Sequence, residues 1–526
     1  MRDFHLPGRS AVYAASAMVA TSMPQASLAA IDMLKAGGNA LDAAVAAAAV
    51  LAVVEPQSTG IGGDCFCLYK PNGKPVAAFN GSGRAPAGAH IGALHSAGVT
   101  KWEDTSPHAV TIPGAVAAWE MLLKAHGRKS MDQVLNAAIG FAEHGYVVAP
   151  RVAHDWAASE AKLRKTGAAG LLVDGAAPRT GTIMRHPGLA ASLRKIAANG
   201  AKAFYEGEMA AAMVAALTAR GGFHTEADFA AGLGAGLFVD PISAKFTGHD
   251  VWECPPNGSG VIALMIMGIM NGFAPKGDPL DPLRVHRHIE AARLVYRDRD
   301  AFLADPAQVD VPVAHLLSDE YLAGLRALID DDRAMASLPE AGHAHRDTVY
   351  ISVVDRDGNA CSFINSLFDS FGSGIIAGDT GIVLHNRGLG FSLTPGHPNC
   401  IAPHKRPMHT IIPAMTTRNG QAEIVFGVMG GHYQPMGQSF VLGNMLQYGL
   451  DPQAAVDLPR YFPWAGQVEL ERGIPPATRA GLAARGHAVN TLDKSHGGAQ
   501  AIVINHAAGV LIGGSDPRKD GCALGY

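Results

Sequence analysis

Residues 350–354 (YISVV) and 360–364 (ACSFI) are short apolar runs on either side of Asp357-Gly358. Asp-Gly tolerates the positive φ of a tight turn, so the segment predicts a β-hairpin. Thr348 opens the first strand of that hairpin. On local pattern alone such a threonine is a β-branched residue suited to a sheet. The surrounding wording, DTVYISVVDRDGNACSFINSLFDSFGSG, gives it a second reading, taken up below.

The first forty residues predict a strand (AMVATS), a helix from Ser27 as N-cap to Lys35, a Gly-Gly-Asn stop and a second helix through Val54. That second run contains Asp42 and follows Gly37-Gly38-Asn39, so the two runs read as packed helices rather than a membrane span. The start has no strong leucine core of a secretory signal, and the expected location is the cytoplasm. Gly60, Gly62 and Gly63 precede an alternating strand. With no strand before them and no Lys-Ser/Thr or helix after, they predict close backbone approach rather than a phosphate cradle. Residues 115–235 read as helix after helix, and 253–273 as a Pro-Gly turn entering an apolar helix. His286 and Glu290, four apart on the next helix, read as a surface pair, because a zinc site normally brings a second histidine at that spacing. No metal and no cofactor are expected. The polar run EAGHAHR (340–346) reads as an exposed linker. Strands dominate after it (IVLHN, TIIPAMTT, AEIVFGVMGG), then a helix over 436–450 and a final strand from Ala501.

At 526 residues the chain exceeds one ordinary core and allows one large or two to four ordinary domains. Its 42 basic and 46 acidic residues nearly cancel, which gives no electrostatic footprint for nucleic acid or membrane partners. A small uncharged or acidic ligand is the better expectation. The cysteines include no CxxC pair, and Cys65 and Cys67 alternate on one strand face, as buried free thiols in a reducing compartment would.

The run from Asp347 to Gly374, with GIIAGDTGIVLHN after it, resembles the catalytic segment of the γ-glutamyltransferase family of N-terminal nucleophile (Ntn) hydrolases. AGGNALDAAVA and TGIGGD near the start belong to the same resemblance, which spans essentially the whole chain. It implies an α+β chain in a four-layer αββα Ntn-hydrolase sandwich. It also implies a proenzyme cut between Asp347 and Thr348 into a large chain (1–347) and a small chain (348–526) that remain one folded unit. Thr348 then becomes nucleophile and N-terminus. The chemistry agrees: a threonine hydroxyl needs a base, and the freed α-amine, with a reference pKa of about 7.7–8.0, supplies one.

The resemblance further implies that Ser366 hydrogen-bonds the nucleophile's amine and that Gly430-Gly431 form the oxyanion hole. Asn386 also matches. The departures concern the substrate's α-amino acid end. Where glutathione-cleaving members grip the α-carboxylate with arginine this chain has Ser82, with Arg84 two residues on. Their asparagine, glutamine and aspartate are Phe368, Arg387 and Gly390, and their two serines are His409 and Thr410. These changes resemble the branch that includes oxamate amidohydrolases and glutaryl-type cephalosporin acylases. The expected substrate is therefore a small carboxylate-bearing amide, with Arg84, Asn386, Arg387, His409 and Thr410 around it. A glutathione γ-glutamyl hydrolase or transpeptidase, and an unprocessed non-catalytic binding protein, stand as the alternatives. Monomer and homo-oligomer are both left open.

Overall fold

A computed structural model of the protein describes residues 8–336 and 348–526. The linker reading of 340–346 and the residue Asp347 lie outside the described residues. The hairpin is formed by β-strands Val349–Val354 and Ala360–Ser366, with Val354 opposite Ala360 and Val349 opposite Asn365. Gly358 takes φ 78°, which a residue without Cβ adopts at no steric cost. Asp355 closes the turn by accepting from the amides of Asp357 and Asn359, both at 3.0 Å. Both strands are buried along their full length, so the hairpin has no solvent face.

The strands of the two large sheets, in chain order, are β1 (Val12–Ala14), β2 (Met18–Thr21), β3 (Asp64–Lys70), β4 (Ala77–Gly81), β5 (Leu237–Val239), β6 (Ile242–Phe246) and β7 (His249–Glu253). They continue as β8 (Val349–Val354), β9 (Ala360–Ser366), β10 (Ala414–Arg418), β11 (Gln421–Met429), β12 (Gly498–Asn505), β13 (Val510–Ser515) and β14 (Cys522–Gly525). One sheet runs β14-β2-β8-β9-β3-β4-β5 and the other β1-β13-β12-β11-β10-β7-β6. The hairpin thus lies at the middle of its sheet, with no exposed edge.

Alternation along β8 decides what Thr348 faces. Val349, Ile351 and Val353 join the core built on helices α1 (Pro24–Lys35) and α2 (Ala40–Val54). Tyr350 and Ser352 point the other way, into the second sheet. Ser352 Oγ donates to the Val425 carbonyl at 3.2 Å, and a Cβ on Gly427 would fall 2.3 Å from the Tyr350 ring. Gly427 is therefore glycine because the tyrosine occupies the place of its side chain. On β11, Phe426 and Val428 pack outward against helices α3 (Gly260–Met270) and α5 (Gln434–Leu446), which cover the second sheet. Between these two lies α4 (Pro282–Phe302) in chain order.

α2 is buried on every side, and its alanines let it sit close against the hairpin. Asn39 caps it, accepting from Leu41 and Asp42 amides at 3.0 and 3.1 Å, and Asp42 returns the bond to the Asn39 amide at 2.8 Å. Such a capping box satisfies helix-end donors reciprocally. Among the described residues no helix is long and apolar enough to cross a membrane. The close-approach reading of the glycine loop agrees with the packing: a Cβ on Gly62 or Gly63 would fall 2.2 Å from the carbonyl oxygens of Val383 and Ser366.

Three expectations are corrected. The first helix begins at Pro24, which fits the N1 position, so Ser27 lies inside it. His286 and Glu290 are fully buried: His286 meets His487 and the Asp330 carbonyl, each at 2.7 Å, and Glu290 accepts from Arg293 and the Met335 amide. The covering segments come from far along the chain, so helical spacing alone places the pair on a surface. The final strand is three strands, β12, β13 and β14, because Ala507-Ala508-Gly509 turns the chain back.

Candidate active site

Thr348 immediately precedes β8 and is 1% exposed. Extending the register of Val349 with Asn365 places it opposite Ser366, and the two hydroxyls are 3.1 Å apart. Ser366 pairs in register with Asp64 on β3, and the next residue in the row on the β4 side is Ser82. Thr348, Ser366, Asp64 and Ser82 thus form one row across neighbouring strands at the end of the sheet. Ser366 Oγ also accepts from the Phe368 amide at 2.9 Å, in a turn where Phe368 holds φ 79°. A non-glycine residue in that region stores strain that the surrounding packing must hold.

Across the gap between the sheets, Ser352 meets Val425 and Tyr350 meets Gly427, so the same progression brings Thr348 opposite Met429 at the end of β11. Gly430 and Gly431 follow, with φ 119° and 57°. A Cβ on Gly430 would lie 3.0 Å from Gly497 Cα. The turn is braced from α4. Tyr296 donates its hydroxyl to the His432 carbonyl, and Arg299 Nη1 donates to His432 Nδ1 at 2.9 Å. The His432 ring stacks on Trp464 at 5.7 Å. Directly after the turn comes the N-terminus of α5, whose partial positive charge favours an anion nearby.

On the other side of Ser366 lies a buried charge cluster. Asp64 Oδ1 accepts from the Gly83 and Gly114 amides at 3.0 and 3.3 Å. Its Oδ2 accepts from His409 Nε2 at 2.9 Å and is 3.4 Å from His385 Nδ1 and 3.7 Å from Arg387 Nε. Burial opposes ionisation of Asp64, but His385 and His409 together hold its carboxyl well below the usual carboxylate range. Burial, with Arg387 adding to it, pushes His409 down to about 3, so it is a neutral donor. Burial lowers Arg387 to about 9 against the pull of Asp64 and Asp369, and it remains charged at neutral pH. Arg387 Nη1 donates to Thr410 Oγ1 at 2.9 Å, and its guanidinium lies 4.1 Å from the Phe368 ring centre.

The structure therefore brings Thr348, Ser366, Phe368, Arg387, His409 and Thr410 to one place. Asn386 is a brace beside them: its amide group donates to the Asp104 carbonyl at 3.0 Å and to Asp369 Oδ2 at 2.9 Å. Arg84 makes its contact elsewhere, donating to the His404 carbonyl at 2.8 Å from a half-buried position. The arginine beside Ser82 is instead Arg406, whose Nε donates to the Ser82 carbonyl at 3.1 Å. Asp64 escaped the sequence reading. The signals for it were its place at the end of TGIGGD and an acidic residue opening a mostly apolar strand, directly after the glycine loop. Next to the site, a cavity of about 380 Å³ is lined by Gly390, Met408, Arg299, His432, Trp102 and Phe391 among others. Among the described residues no group of histidine, cysteine, aspartate and glutamate side chains gathers as a metal site.

A family model described as gamma-glutamyltranspeptidase matches residues 26–526. The chain is 37% identical over 530 residues to the glutathione hydrolase-like YwrD proenzyme of Bacillus subtilis (strain 168), covering 97% of this chain and 98% of that one. It is 37% identical over 519 residues to the oxamate amidohydrolase proenzyme of Klebsiella pneumoniae subsp. pneumoniae, covering 95% and 97%. Among solved structures, the cephalosporin acylase from Bacillus halodurans superposes with TM-score 0.93 at 39% identity, covering 100% of this chain and 99% of that one.

Proposed function

The chain belongs to the γ-glutamyltranspeptidase family and is an enzyme of it, an amidohydrolase or acyltransferase, and from that premise we propose that Thr348 is the nucleophile of a small carboxylate-bearing amide's hydrolysis. The precursor is cut before Thr348 into chains 1–347 and 348–526, which stay together in a four-layer αββα arrangement. Thr348 Oγ attacks the amide carbonyl while its own α-amine takes the hydroxyl proton. Gly430 and Gly431 amides receive the oxyanion. The amine leaves with the proton from the Thr348 ammonium, and water attacks the resulting acyl ester to release the acid and restore the threonine. Ser366 holds the nucleophile from the neighbouring strand. The free cysteines favour a reducing compartment, the cytoplasm.

The observation that carries the substrate assignment is Arg387: a fully buried guanidinium that donates to Thr410 Oγ1 at 2.9 Å, beside the nucleophile's row. A planar fork of that kind takes a carboxylate and repels an ammonium. The test is kcat/KM for a glutaryl amide, oxamate and glutathione on the two-chain enzyme. The glutaryl or oxamate donor is expected to lead; glutathione ahead by tenfold, about 1.4 kcal/mol of transition-state binding, would overturn the assignment.

A further inference from the structure

We infer that Asp64 is the resident counter-ion of Arg387: it offsets the buried guanidinium's charge when the site is empty, yet leaves its carboxylate-binding edge open, and so sets how tightly an acidic substrate is held. The inference rests on the reading that Arg387 takes the substrate's carboxylate.

Arg387 is fully buried, and its Nε and Nη2 have no hydrogen-bond partner among the described residues. Those two N–H groups form one side of the guanidinium, the side that grips a carboxylate with two parallel bonds. Asp64 Oδ2 stands 3.7 Å from Nε, close enough for strong Coulomb attraction but beyond a hydrogen bond. The reason it does not close is visible in its other partners. The amides of Gly83 and Gly114 hold Oδ1, and His409 holds Oδ2. A carboxylate fixed by these three donors cannot swing onto the arginine. The register of β9 with β3 fixes it further, since Asp64 is bound in its row opposite Ser366.

The other charged or titratable groups acting on the pair are His385, His409 and Asp369, with Tyr205, Cys65 and Arg406 acting on Asp64. An isolated buried cation is costly, and removing one partner of a buried pair leaves that cost exposed. An incoming substrate carboxylate would take over the role of counter-ion, against repulsion from Asp64. Asp64 is thus a positioning residue that acts through Arg387: it keeps the empty site intact at the expense of affinity.

Asp64→Asn removes the charge and keeps the shape. Hydrolysis of glutaryl-p-nitroanilide is compared with that of pentanoyl-p-nitroanilide, which has the same chain length and lacks the carboxylate. In Asp64→Asn the ratio of their kcat/KM values is expected to rise about tenfold, because the repulsion is gone and the arginine charge remains. Glutarate is expected to raise Tm more in this variant than in the wild type, since it supplies the missing charge. Asp64→Glu, which retains the charge, is expected to return both readouts toward wild type. An unchanged or lowered ratio in Asp64→Asn, with Arg387→Gln still lowering it, would overturn the role of Asp64. A ratio unaffected by Arg387→Gln would instead remove the reading of Arg387 beneath it. Should Asp64→Asn fail to fold alone, glutarate in the purification is expected to restore the two-chain enzyme, and failure to do so would count against the counter-ion.

Discussion

The two flanks of Thr348 are built in different ways. The flank formed by β8 and β9 is a backbone construction: a hairpin with an Asp-Gly turn and a fixed register that sets Ser366 Oγ 3.1 Å from Thr348 Oγ1. The flank proposed to meet the substrate is a side-chain construction. Asp64, Arg387, His409 and Thr410 come from three separate stretches of chain and are ordered by charge and hydrogen bonds. Backbone register survives a change of side chain, whereas a buried charge cluster changes its properties with each substitution. The proposed function assigns reaction chemistry to the first flank and substrate choice to the second, so substitutions in each should separate activity from selectivity.

The largest effect expected is that of Thr348→Ala. Without the hydroxyl neither the cut nor the acyl transfer has a nucleophile, so the purified protein is expected as one uncut chain with no amidase activity. Gel electrophoresis and N-terminal sequencing check the first point and an amide assay the second. Normal cutting would place the nucleophile elsewhere. Thr348→Ser retains the hydroxyl and future amine, and should recover part of both functions.

Next in size is the turn at Gly430-Gly431, the proposed oxyanion hole. Gly431 holds φ 57°, where a β-branched side chain is strained, and its amide is aimed by that backbone angle. Gly431→Val is expected to lower kcat by about 10²–10³, the typical loss of one oxyanion donor. The loss should be equal for glutaryl and pentanoyl donors, because the turn belongs to the chemistry and not to the carboxylate. A loss that falls on one donor only would blur the division between the flanks.

This division also explains what was legible in the amino-acid sequence. The hairpin could be read because two short apolar runs on either side of Asp357-Gly358 are local signals, and the first two helices because Gly37-Gly38-Asn39 separates two apolar runs. Ser27 was misread because a serine before an apolar run resembles a cap, while Pro24, three residues earlier, actually starts the turn. Asp64 was invisible because the histidine that holds it is 345 residues away. His286 looked exposed for the same reason, its partner His487 being 201 residues distant. Arg387 was found as an unusual residue in a matching stretch, but its free edge and its counter-ion are properties of the assembled cluster.

The smallest effect expected lies in the hairpin itself, at the end away from the site. Gly358 is exposed at the turn with φ 78°, and a Cβ there would meet only the Asn72 side-chain amide, at 3.1 Å. That flexible neighbour can move, so the cost of Gly358→Ala is backbone strain, about 1 kcal/mol. In a chain of this size such a loss lowers Tm by only ~1–2 °C. The register from Val354–Ala360 to Val349–Asn365 is held by neighbouring strands on both sides, β2 and β3, so the strain should not reach Ser366. Both kcat and the glutaryl-to-pentanoyl ratio are therefore expected to stay at wild-type values. A change in kcat alone would mean that the turn sets the hairpin register after all, and that the reactive flank depends on its distant end as closely as the substrate flank depends on Asp64.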